Sequence, residues 1–329
     1  MGAEILASRA RPRPPGGVKA LARRLQTGDG VAHAITLIFA YGILLITCLL
    51  VYELWIHSAV ARHRFGWHFL VSRAWDPAFA HFGALPFIYG TVVTSLVALV
   101  LAVPLGVGGA IFLAEFAPPQ ISGGLTFLVE LLAAVPSVVY GLLGIFVVVP
   151  ILRNELDPFL QRHFGFVILF RGPIYGVGFL AAGIVLSIMI VPFILSISRG
   201  VLLAVPAEQR EAALGLGATL WESTWQVVVP YARSGIFGSI FLALARALGE
   251  TMAVTMVIGN SSEIAKSLFA PGYTMASVIA NEFTEATGSA YLSALFELAL
   301  VLLGVTVVVN IFAQLLLKTF AGPTVKPQH

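Results

Sequence analysis

Six long stretches of this chain are almost wholly apolar, and a helix needs about 20 apolar residues to cross a bilayer. The stretches are 31–52, 88–114, 125–150, 174–198, 235–258 and 291–317. Only 11% of the 329 residues are charged and 58% are hydrophobic, whereas a soluble domain is about 25% charged. The shortage of charge runs along the whole chain, so the expected fold class is an all-α polytopic membrane protein with six transmembrane helices.

These spans delimit the remaining segments. Residues 1–30, with "RARPRPPGG", read as a flexible basic tail. The first apolar run starts at Val31 and is longer than the roughly 7–15 residues of a signal-peptide core, so 31–52 reads as a retained helix. Residues 53–87 form an extracytoplasmic connection, 88–317 the helical core with a cytoplasmic loop at 199–234, and 318–329 a short tail. Six of the nineteen Lys and Arg lie in the first thirty residues. Positive charge favours the cytoplasmic side, so both termini are expected inside. The net charge of +3, scattered beyond the tail, gives no reason to expect nucleic acid as a partner; membrane lipid is the expected surrounding. Cys48 is the only cysteine and cannot form an internal disulfide.

Several polar or special residues fall within or beside the spans. Pro104, Pro136 and Pro192 lie in spans two, three and four, where neighbouring helices can satisfy the freed carbonyls. "GLLG" (141–144) and "GPIYG" (172–176) supply small residues for close helix approach. The segment 53–83 holds Trp55, Trp67, Trp75 and four histidines without metal-ligand spacing, and reads as interfacial aromatics with solvated histidines.

The sharpest anomaly is "FLALARALGETMAVTMVIG", residues 241–259. Arg246 and Glu250 stand there with twelve uncharged residues on each side. A charge at such depth costs about 2.5–3.5 kcal/mol on insertion scales. On an unbroken helix the two share a face at i and i+4, but base before acid is the weaker order. Further partners or a hydrated path are therefore expected. One side of that helix would carry Gly235, Ser239, Ala243, Arg246, Gly249, Glu250, Ala253 and Asn260, turned inward, with Leu242 and Val257 as exceptions. The other would carry Phe237, Phe241, Leu244, Leu248, Met252 and Ile258, turned to lipid. The alternatives are a purely structural ion pair and a re-entrant turn near Gly249. In span two, Thr91, Thr94 and Ser95 share a face and could add hydroxyl contacts to a polar path. Bonding to backbone carbonyls within their own helix is an equal reading. Glu130 and Glu297 are weaker signals at span edges.

The loop between spans four and five reads "VPAEQREAALGLGATLWESTWQVVVPYARSG". Pro206 suits a first helical turn and Gly217 a left-handed C-terminal cap. Thr219 with Glu222 matches a capping box that opens a second helix. Val229-Pro230 is expected to end that helix before span five.

"EAALGLGATLWESTWQVVVP" resembles the EAA loop of ABC-importer permeases, with Glu211, Ala212, Ala213, Gly217, Val227, Val229 and Pro230 at the pattern positions. "GALPFIYGTVVTSLVALVLAVPLG", "ELLAAVPSVVYG" and "ARALGETMAV" are similar to phosphate-importer permeases of the PstC type over most of residues 83–317. The resemblance implies a type I ABC-importer permease fold. It implies a sister permease of the PstA type, a dimer of PstB-type ATPase subunits docked on the loop, and a PstS-type extracytoplasmic phosphate-binding protein. It places Arg246 and Glu250 in phosphate passage, and the chain in a bacterial inner membrane. No G-x-x-x-x-G-K-[ST] occurs in the chain, so ATP and Mg2+ are expected on the partner ATPase, with no cofactor held by this chain.

A secondary transporter or channel would use the intramembrane charges without a docking loop. An intramembrane enzyme has little support: H-E-x-x-H and G-x-S-G are missing, and Asp29, Asp76 and Asp157 all fall outside the expected spans. A permease of the same fold for another oxyanion is the nearest rival.

Overall fold

The computed structural model describes residues 29–320, so the two tails inferred from the sequence lie largely outside the described residues. Six helices are long and apolar enough to cross a membrane: Ala32–His57, Leu85–Phe116, Ser137–Phe164, Phe179–Leu203, Leu220–Leu248 and Ser289–Leu316. No strand occurs among the described residues. The chain divides into two units, residues 1–54 and 55–329. In the first, the apolar helix exposes almost its whole length, with Ile38, Phe39 and Ile43 all about two-thirds exposed.

The second unit is built around span four. Phe179, Leu186, Ile190, Ile194 and Leu202 are fully buried along its length, and a helix apolar on all sides belongs at the centre of a bundle. It packs along span two and against span five. In lipid, helix association rests on close packing rather than exclusion of water. Gly106 and Gly183 provide it: an added Cβ at either would strike Ile194 or Val97 on the facing helix.

Two expected spans are corrected. The run 125–150 is split: one helix covers Pro119–Ala133, the chain turns at Ala134–Pro136, and the third span begins at Ser137. Proline has no N–H and biases the residue before it away from helix, so Pro136 stands before a helix rather than inside one. The third span consequently extends to Phe164 and takes in Asp157, which is 2% exposed; one aspartate does lie within a span. The fifth span begins at Leu220, well before 235, and stops at Leu248. "GPIYG" precedes span four instead of lying in it, and Gly172 and Gly176 adopt positive φ in that loop.

Four widened π turns punctuate the helices: Phe112–Phe116, Gly144–Val148, Leu152–Leu156 and Thr224–Val228. Each ends two residues before a proline, namely Pro118, Pro150, Pro158 and Pro230. A proline ring clashes with the carbonyl four residues back and offers no donor to it. Shifting to i→i+5 bonding, as in Val149 N–H to Gly144 O and Val229 N–H to Thr224 O, opens the turn ahead of the ring. For this reason Val229-Pro230 does not end the loop's second helix, which runs directly into span five.

Within the connection 53–87, where interfacial aromatics and solvated histidines are expected, residues 58–87 contribute to a buried core shared with residues 273–298. Phe69, Phe82 and Phe87 are buried with Tyr273, Met275 and Leu298. Trp75 packs edge-on against Phe82 and Phe87, at 5.0 and 4.7 Å between centroids. Its Nε1–H donates to Glu282 Oε2 at 2.8 Å, and Tyr291 donates to the same oxygen at 2.6 Å. Trp55 and Trp67 remain exposed. Among the described residues no group of three His, Cys, Asp or Glu is placed to hold a metal.

Candidate substrate path and docking loop

Span five ends at Leu248 because Gly249 follows, and the chain leaves helical geometry at Glu250 and Thr251 before a short helix, Met252–Val257. Arg246 and Glu250 therefore do not stack on one helical face. Arg246 lies in the last turn of one helix, where a cation complements the dipole. Glu250 lies ahead of the next, and its Oε1 accepts the Ala253 N–H at 3.2 Å. No ion pair joins the two among the described residues.

The continuous wheel is met only in part. Ser239, Ala243 and Ala253 are buried as the continuous wheel expects, but so are Leu248 and Ile258, which it assigned to lipid. Arg246 is itself exposed and Glu250 half-buried. The helix 252–257 fits against the start of span three because Gly141 and Gly144 face it. A side chain at Gly141 would strike Met256, and one at Gly144 would strike Val257. "GLLG" thus serves close packing, as its small residues suggest.

Around Arg246 the bundle offers rings, and no carboxylate pairs with it among the described residues. Its guanidinium carbon lies 5.6 Å from the centre of the Phe193 ring in span four, within cation–π range. The phenol of Tyr140, in span three, is buried. That hydroxyl is already committed, donating to Leu132 O at 2.6 Å. Arg246 forms no hydrogen bond within the described residues, so its planar donors are free to take an oxyanion.

Thr91, Thr94 and Ser95 of span two are buried. Thr91 donates to Phe87 O at 2.7 Å and accepts the Met275 N–H at 3.0 Å. Thr94 donates to Gly90 O at 2.8 Å. Ser95 Oγ is buried with no hydrogen-bond partner, so it alone retains its full bonding capacity.

The loop folds as its residues direct. Ala207–Gly215 is helical, beginning just after Pro206 rather than on it. Gly217 takes φ +89°, its N–H reaches Leu214 O at 3.0 Å, and Ala218 N–H reaches Ala213 O at 3.1 Å. These are the paired bonds of a Schellman cap. Thr219 and Glu222 form the reciprocal capping box. Glu211, Ala212 and Gly217 are exposed, Ala213 is half-buried, and Leu216 is 91% exposed. A hollow of about 540 Å³ opens beside Ala212, Ala213, Gly217 and Gln226.

Two ion pairs have no counterpart in any sequence motif. Arg210 Nη2 lies 2.9 Å from Glu115 Oε1, and Arg62 Nε lies 3.7 Å from Glu297 Oε2. Each joins positions far apart in the chain, and no spacing rule pairs them. Glu297 is legible in the sequence only as a charge at a span edge.

These elements define a type I ABC-importer permease. A chain from the crystal structure of a bacterial ABC transporter involved in the import of alginate superposes with TM-score 0.60 at 14% identity, covering 93% of this chain and 99% of that one. A chain from the same kind of transporter, crystallised with its alginate-bound periplasmic protein, gives 0.58 at 14% identity, over 90% and 94%. Residues 102–321 match the family model for the binding-protein-dependent transport system inner membrane component, and the chain belongs to that family. The phosphate transport system permease protein PstC of Mesorhizobium japonicum is 46% identical over 309 residues, 93% of this chain and 94% of that protein. The protein of the same name from Xylella fastidiosa strain 9a5c is 49% identical over 256 residues, 77% and 79% of the two chains. The PstC-type resemblance read from the sequence is thereby borne out.

Proposed function

We propose that this chain is the membrane subunit of an ATP-driven importer of inorganic phosphate in a bacterial inner membrane, with both termini cytoplasmic. The observation that carries the reading is Arg246: a guanidinium with uncommitted donors at a helix break, in a chain 46% identical to a phosphate permease over 93% of its length. Hydrogen phosphate offers acceptor oxygens to Arg246 and an O–H donor to Glu250. Sulfate has no such hydrogen at neutral pH and leaves that carboxylate unpaired. Ser95, with Thr91 and Thr94 beside it, lines the path when span two moves. The exposed side of Arg246 faces a PstA-type sister permease.

The loop around Glu211, Ala212, Ala213 and Gly217 docks a PstB-type ATPase dimer, which holds ATP and Mg2+. A PstS-type binding protein delivers phosphate from the extracytoplasmic side. Closure of the ATPase pair drives alternating access. The test is reconstitution of the chain with these partners in proteoliposomes. Phosphate uptake should require ATP and the binding protein, and sulfate should compete poorly. Uptake that persists without ATP at a fixed membrane potential refutes the ATP-driven reading.

A further inference from the structure

Arg210 precedes Glu211 on the helix Ala207–Gly215, which buries none of its own residues. That helix rests on Leu220–Ser223 and the Thr224–Val228 turn, and one guanidinium ties it to the ends of spans two and four. Arg210 Nε and Nη2 donate to the two carboxylate oxygens of Glu115 at 3.2 and 2.9 Å. Nη1 donates to Val205 O at 2.6 Å and Nη2 to Leu202 O at 2.7 Å. The fork thus closes on a carboxylate at the end of span two and on carbonyls at the end of span four.

The side chain of Glu115 is 5% exposed and that of Arg210 is 23% exposed. Separating such a pair strands charge in a dry place, so it moves as a unit. No other residue of the helix has a side-chain hydrogen bond or ion pair to spans two or four among the described residues. Glu115 lies in the π turn that closes span two, and the same span carries Thr91, bonded to Met275 N–H, towards its other end.

We infer that the Arg210–Glu115 pair is the strut that passes movement of the docking helix into span two, and so to the face holding Thr91 and Ser95. The inference rests on the loop being the ATPase dock. Arg210 is a positioning residue: it acts through Glu115 and touches neither nucleotide nor phosphate.

The test uses the whole complex, purified with its ATPase and sister subunits. Leu105→Cys in span two, a position 64% exposed, is placed in a Cys48→Ser background. Its maleimide labelling rate is measured with and without ATP and vanadate. Arg210→Gln, Glu115→Gln and the double variant should still co-purify with the ATPase and trap nucleotide. The nucleotide-dependent change in labelling should fall at least about ten-fold in each single variant, and no further in the double. Arg210→Lys, which keeps the charge without the fork, should fall between.

A wild-type-sized response in both single variants overturns the strut, and so does a double variant whose loss is the product of the two. Loss of the ATPase from the purified variants overturns it as well, since the pair would then merely hold the loop together. The readout does not involve phosphate. A complex that moves on nucleotide but carries no phosphate defeats the proposed substrate and leaves the strut standing.

Discussion

Arg246 and Glu250 are four residues apart and face different helices: the first closes span five, and the second caps the helix 252–257 through Ala253 N–H. The base therefore has no acid holding it, and the acid has a structural duty of its own. The two positions should respond differently to substitution.

Arg246→Gln removes the charge and the fork while leaving a polar side chain in place. Hydrogen bonds to a charged donor contribute about 1.5–3 kcal/mol, which corresponds to a loss of roughly 10- to 100-fold. Phosphate uptake should fall by that factor while the ATPase still co-purifies. Unchanged uptake would remove Arg246 from the path.

Glu250→Gln keeps an oxygen for Ala253 N–H and so preserves the cap, but it no longer offers a full carboxylate to the phosphate hydrogen. Phosphate uptake should drop and sulfate should become a better competitor. Glu250→Ala also loses the cap, at a cost of about 0.5–2 kcal/mol, and its complex should melt at lower temperature than that of Glu250→Gln. An identical phosphate-to-sulfate ratio in wild type and Glu250→Gln counts against the discrimination role.

Gly217 has open space where a Cβ would lie, so only its φ of +89° restricts what can replace it. A β-branched residue in that conformation costs about 1–2 kcal/mol or more, whereas Asn tolerates it. Gly217→Val should abolish substrate-stimulated ATP hydrolysis, and Gly217→Asn should retain most of it. Equal activity in the two variants would mean that the cap geometry is irrelevant to docking.

Thr91→Val leaves the buried Met275 N–H without its acceptor, a loss of about 1–3 kcal/mol. The melting temperature of the purified complex should fall, and Thr91→Ser should restore it. Equal melting of the Val variant and wild type would show that the Met275 N–H finds another acceptor.

The sequence makes spans one, two, four and six legible because their apolar runs end where charged or turn residues begin. Spans three and five mislead for a shared reason: the apolar run continues through Pro136 and Gly249, and composition alone does not mark a backbone break. The loop is legible in detail because caps are local, with Gly217, Thr219 and Glu222 each acting within a few residues. Arg210–Glu115, Arg62–Glu297 and the Trp75–Glu282–Tyr291 cluster are products of tertiary folding between distant segments. The free donors of Arg246 depend on the helix stop at Leu248, which separates it from Glu250 and leaves no trace in the apolar pattern.

The wide turns ahead of Pro150, Pro158 and Pro230 give these long rods built-in joints. At each, the ladder bridges the missing donor by reaching one residue further, as Val149 N–H does to Gly144 O and Val229 N–H to Thr224 O. The turn at Thr224–Val228 thereby lets one rod run from Leu220 in the exposed loop to Leu248, two residues past Arg246.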